Sequence, residues 1–174
     1  MSAERTIADA LKAGTLTRCE RELLVHLEAA VDNVFTTMLS TVCELVEATS
    51  AEACAQEDAR LASVAIEAIV EFEGPTAGAV VLRCSPEGAA DIARGLLTLG
   101  AGDSIELAEV HDALGECANM VTGAFKTRAL DPHGAFRLTV PKIDTHVVVQ
   151  HPHQAGRLVY ELAEGSAAVE VWFH

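Results

Sequence analysis

Two pairs of β-patterned runs, each pair closed by a glycine turn, constrain this chain more than any other feature. The run A-S-V-A-I-E-A-I-V-E-F-E-G ends at Gly74-Pro75 and is followed at once by A-G-A-V-V-L-R-C. Toward the end of the chain, R-L-V-Y-E-L-A and A-A-V-E-V-W-F-H are separated by the Gly165-Ser166 turn. β-Branched runs broken by Gly and Pro are the signal of strands that fold back on their neighbours. Between the pairs lie F-R-L-T-V-P-K-I and, joined to it, D-T-H-V-V-V-Q, two further β patterns. A strand at the very terminus is often an edge that needs cover, and pairing with a second subunit through a two-fold axis would supply it. An intramolecular neighbour on both sides would serve equally well.

Three helical patterns accompany the strands. Leu23, Leu24, Leu27, Val31, Val34 and Met38 lie on one broad face of a predicted helix running from Cys19 to Glu47. Ser85-Pro86-Glu87 combines an N-cap, a first-turn proline and an acid, which predicts a second helix that stops at Gly100. Asp103-Ser104 is expected to cap a third, ending near Leu130 before Asp131-Pro132. Strands mixed with helices but few βαβ crossovers predict an α+β fold, a largely antiparallel sheet with long helices packed on one face. Half the residues are hydrophobic but only 4% are aromatic, so Ala, Val and Leu must build the core. A length of 174 residues fits one domain, residues 19–174, preceded by an N-terminal arm at residues 1–18.

The net charge of −14 makes the surface a poor partner for nucleic acid or anionic lipid. No uncharged apolar run approaches the roughly 20 residues of a membrane span. The first residues, M-S-A-E-R-T-I-A-D, lack the apolar core of a signal peptide, so a cytoplasmic location is expected. The five cysteines form no C-x-x-C pair and are expected to be reduced and mostly buried. His146, His151 and His153 cluster around Pro152, which marks a turn, and solvated loop histidines are the ordinary reading, so no metal site is expected there.

The third helix carries D-A-L-G-E-C-A-N-M-V-T-G-A-F-K, residues 112–126. At about 100° per residue, Asp112, Glu116, Asn119, Gly123 and Lys126 fall within about 40° of one line. Leu114, Cys117, Ala118, Val121 and Phe125 take the other side. A wetted helix face is the ordinary explanation for such a row. Against it, Asp112 and Glu116 repel at i, i+4, and Asn119 and Gly123 are poor helix formers at mid-helix. A face that opposes local propensity this often suggests a use. Gly123 in particular would let another surface approach closely.

Asp112, Glu116 and Asn119, followed by Pro141 in L-T-V-P-K-I, make a pattern that resembles the CheX, CheC and FliY class of chemotaxis phosphatases. The run G-E-C-A-N-M-V-T-G-A-F-K is most similar to CheX. CheC-like members carry two Glu–Asn sites; here Asn33 on the first helix has Ala30 where the partner Glu would stand, so the resemblance implies one site per chain. It further implies a phosphatase acting on a phosphorylated CheY-like response regulator, with Glu116 and Asn119 catalytic. Asp112, Gly123 and Lys126 would contact the partner, and Pro141 would shape the adjoining strand. No cofactor is implied in this chain, because Mg²⁺ would belong to the partner's receiver domain. A homodimer is expected. The alternative is a non-catalytic module of the same fold that docks to a receiver or a flagellar switch component.

Overall fold

The computed structural model describes residues 18–39, 43–49, 65–100, 102–145 and 154–174. Nearly all of the expected N-terminal arm and the three clustered histidines therefore lie outside the described residues. Among those described, three α-helices accompany a seven-stranded sheet: α1 (Arg18–Val34), α2 (Pro86–Leu97) and α3 (Leu107–Phe125). The strands are β1 (Glu44–Thr49), β2 (Ile66–Glu73), β3 (Ala77–Cys84), β4 (Arg137–Leu138), β5 (Lys142–Asp144), β6 (Gln154–Glu161) and β7 (Ser166–Phe173).

Every pairing is antiparallel, in the order β1-β6-β7-β3-β2-β4, with β5 also on β2. The two turn-closed pairs of the sequence are the β2–β3 and β6–β7 hairpins. Their register brings Val70 opposite Val80, Val80 opposite Val171, and Leu82 opposite Val169. Because side chains alternate along a strand, these residues line one face, and the helices cover that face. α3 occupies the middle of the helical layer, touching β2 and β3 below and α1 and α2 at its sides. Leu27, Ile92, Leu114, Val121 and Phe125 meet the sheet in one continuous core.

Two sequence expectations change, and one alternative that the sequence left open is settled. The first helix does not reach Glu47: α1 ends at Val34, a wider π-helical turn spans Phe35–Leu39, and Glu44–Thr49 is strand β1. A bulge between Leu45 and Glu47 shifts its register against β6, so Leu45 and Ala48 are both buried. That i, i+3 burial imitates a helix, which is why the strand was hidden. The terminal strand β7 is not an edge; it sits between β3 and β6 in mid-sheet. The second helix ends at Leu97, short of Gly100, because Thr98 takes a left-handed conformation (φ 59°) and its N–H closes on Arg94 and Gly95.

The second face of the sheet buries charge. Arg83 Nε donates to Glu67 Oε1 at 2.6 Å and Arg83 Nη1 to Glu170 Oε1 at 3.3 Å, while Trp172 Nε1 donates to Glu170 Oε2 at 3.1 Å. Arg83, Glu67 and Glu170 are all buried. Removing one partner of a buried ion pair strands the other charge away from water. Arg83→Ala should therefore lower the unfolding free energy by about 3 kcal/mol or more, seen as a fall in the urea midpoint without loss of the native far-UV spectrum.

Candidate functional site

α3 starts later than the sequence suggests. Asp103 is engaged elsewhere: its carboxylate accepts the Gly100 N–H at 2.7 Å and closes the turn after α2. The N-cap is Glu106, whose N–H is accepted by Glu109 Oε2 at 2.9 Å in a capping box. From there the apolar side of the helix sets its rotation. Val110, Ala113, Leu114, Cys117, Val121 and Phe125 are all buried.

The opposite side follows from that rotation. Asp112 and Glu116 are exposed, and Asn119, Gly123 and Lys126 are partly exposed, in one row. The spacing of these five residues places them on a ridge roughly 21 Å long. No hydrogen bond or ion pair to the described residues engages the side chain of Asp112, Glu116 or Asn119. Glu116 and Asn119 thus stand side by side on a rigid helix with their bonding capacity directed outward. Lys126 differs, since its Nζ bonds Asp131 Oδ2 at 2.8 Å and fastens the helix end to the following turn. Cys117, next in sequence to Glu116, points into the core. Burial, and secondarily the charge of Glu116, push its thiol up to about 12, so it stays protonated at neutral pH.

Pro141 comes to the same place from the sheet. A Cβ built on Gly115 would lie 3.5 Å from Pro141 Cβ and 3.7 Å from Ile143 Cδ1, so the proline rests on bare helix one turn before Asn119. It is held there by a bulge. Thr139 N–H donates to Glu71 O at 2.9 Å, and Lys142 pairs with Ile69, leaving Val140 and Pro141 together opposite Val70 alone. Proline has no N–H for the ladder and is tolerated at such a bulge. The bulge also turns Val140 outward to 81% exposure. Simple alternation through F-R-L-T-V-P would have put Val140 on the side of Leu138; the proline in that run was the signal that the alternation fails.

His111 is a second residue that spacing did not single out. It flanks the row on the Gly115 side, and its Nε2 is buried without a hydrogen-bond partner. Asn33 is exposed on α1 while Ala30 is buried, so no Glu–Asn pair exists there. Among the described residues no three His, Cys, Asp or Glu side chains group to hold a metal ion, and no helix is long and apolar enough to cross a membrane.

Gly123 has no internal reason to be glycine. It sits within a helix, its φ is not positive, and a Cβ there would meet nothing within 4 Å. Gly123→Ala should therefore raise stability by about 0.5–1 kcal/mol, measurable as an upward shift of the thermal midpoint.

No curated protein sequence matches the chain. Solved structures share its fold. CheX from Vibrio vulnificus is 22% identical with a TM-score of 0.70, the match covering 88% of this chain and 99% of that one. CheX from Desulfovibrio desulfuricans is 17% identical with a TM-score of 0.68 over the same shares. The CheX–CheY–BeF₃–Mg²⁺ complex from Borrelia burgdorferi gives 16% identity and a TM-score of 0.64, covering 87% of this chain and 97% of that one. The family described as chemotaxis phosphatase CheX matches residues 66–163, a span that takes in β2 through β6 and the whole ridge of α3. With more than half its length so matched, the chain belongs to the CheX family.

Proposed function

We propose that this protein accelerates dephosphorylation of a phosphorylated CheY-like response regulator, with Glu116 and Asn119 as the catalytic pair. The observation that carries the reading is their placement: adjacent, outward and unengaged, on a helix whose rotation is fixed by its buried side. The family and the existence of a CheX–CheY complex among its structural neighbours support the partner class.

The chemistry asks little of the protein. An acyl phosphate is hydrolysed when a water lies in line with the leaving oxygen and charge on the phosphoryl oxygens is compensated. A receiver brings the second requirement itself, as Mg²⁺ and a lysine; this chain need hold no cofactor. The carboxamide of Asn119 would supply the first, since its oxygen and NH₂ can both bond a water and fix its direction. Glu116 would pair with the receiver's lysine through a charge-assisted bond, which sets the register of the two proteins. Asp112 would border the contact, Gly123 would leave room for the receiver's backbone, and Lys126 would hold the helix end through Asp131. Pro141 would fix the bulge against Gly115 and so frame the site.

This role would put the protein in the cytoplasm. A homodimer would have to form through a surface other than β7, which has a partner on each side.

Asn119→Ala should slow receiver dephosphorylation by about 100-fold or more, because water positioning is lost, while binding to a beryllofluoride-loaded receiver persists. Glu116→Ala should weaken that binding by at least about ten-fold. The measurement is decay of a receiver labelled with acetyl phosphate. An Asn119→Ala variant with the full rate would end the mechanism. A wild-type protein that binds the loaded receiver without hastening decay would instead make it a docking module.

A further inference from the structure

We infer that Val140 is the apolar anchor that seats the receiver beside Glu116 and Asn119, and that it therefore sets affinity for the partner without touching the reacting atoms. This rests on the receiver reading above.

Val140 is the most exposed of the large apolar side chains among the described residues, at 81%. A lone exposed valine means little by itself. This one is held rigidly. Thr139 before it is tied to Glu71 twice, by its N–H to Glu71 O at 2.9 Å and by its Oγ1, which accepts the Glu71 N–H at 3.1 Å. Pro141 after it is fixed in φ and rests on Gly115. Lys142 continues the ladder opposite Ile69, and its Nζ lies 3.2 Å from Glu71 Oε2. The backbone on both sides of Val140 is therefore set, and valine itself has a stiff χ1. Ordering it on binding loses little entropy.

Its position is as telling as its rigidity. Gly115 is one turn from Asn119, and Val140 is one residue from the proline that touches Gly115. Followed atom to atom, that path is roughly 16 Å long, and the straight distance is shorter. A standard interface of about 800 Å² per partner spans a disc roughly 16 Å in radius. A receiver centred on Asn119 thus also covers Val140. The ridge itself carries no apolar side chain, so the β4–β5 bulge is where such an interface acquires an apolar contact. Polar groups then orient the partner and the valine holds it, which separates affinity from chemistry.

The test is steady-state dephosphorylation of a CheY-like receiver from the same genome, phosphorylated with acetyl phosphate, by the full chain. Val140→Ser should raise KM about ten-fold and leave kcat unchanged. Val140→Ile should restore the wild-type KM. Val46→Ser, an equally simple loss on β1 across the sheet where Val46 is 42% exposed, should change neither constant. Serine is chosen over a charged residue so that repulsion from the acidic phosphorylation site cannot imitate the effect. A Val140→Ser protein with wild-type KM, or with a fall confined to kcat, overturns the anchor and leaves the phosphatase reading standing. Equal losses at Val140 and Val46 also overturn it. Wild-type protein that neither binds nor dephosphorylates any receiver overturns both.

Discussion

The rotation of α3 about its own axis is the constraint on which the site depends. Leu114, Cys117, Val121 and Phe125 are completely or almost completely buried against β2, β3 and the flanking helices. Burying one Leu, Val or Phe side chain stabilises by about 1.5–3 kcal/mol. Turning the helix by one residue, about 100°, would expose several of these and carry Asn119 toward the core. No contact made by Asn119 itself could compensate. The apolar side therefore dictates the direction of the polar side, and Glu116 and Asn119 keep their common heading without a side-chain bond to the described residues.

Small residues make the approach close enough for this to work. Ala113, Ala118 and Gly115 stand where α3 meets its neighbours, and Gly115 admits Pro141 and Ile143 to contact distance. The sheet beneath is held in register by a different device. Arg83 on β3 reaches Glu67 on β2 and Glu170 on β7, so one guanidinium ties three adjacent strands on the face away from α3. Buried charges of this kind contribute less to stability than an apolar replacement could, but they specify register: a slip of one residue would leave each of them unpaired in the interior.

Local chemistry was legible in the sequence and long-range chemistry was not. Ser85 caps α2 as its spacing with Pro86 implies, its Oγ accepting the Gly88 N–H at 3.1 Å. The row from Asp112 to Lys126 follows from one helical period, so its grouping needed no tertiary information. The α+β class and the antiparallel hairpins came from the glycine turns. What escaped were features decided by distant partners. β1 reads as part of the first helix because a bulge against β6 gives it helical spacing. The α3 cap fell on Glu106 because Asp103 was occupied by Gly100. Arg83 and Glu170, 87 positions apart, carry no mutual signal at all, and Val140 was turned outward by a bulge whose geometry is set by β2.

The composition of the ridge is coherent once its surroundings are considered. Asp112 and Glu116 repel at i, i+4, which costs a few tenths of a kcal/mol, and Gly123 costs up to about 1 kcal/mol relative to alanine. Asp112 and Glu116 are exposed, and a Cβ at Gly123 would meet nothing within 4 Å, so packing among the described residues accounts for none of the three. A helix standing alone could hardly carry such a face. α3 carries it because its other side is sealed into the core, its start is boxed by Glu106 and Glu109, and its end is held by Lys126 and Asp131. Local instability on an exposed face and strong fixation everywhere else are the two conditions that the proposed water-positioning role needs. The side chains face outward, while the backbone that aims them is held at both ends and along its buried side.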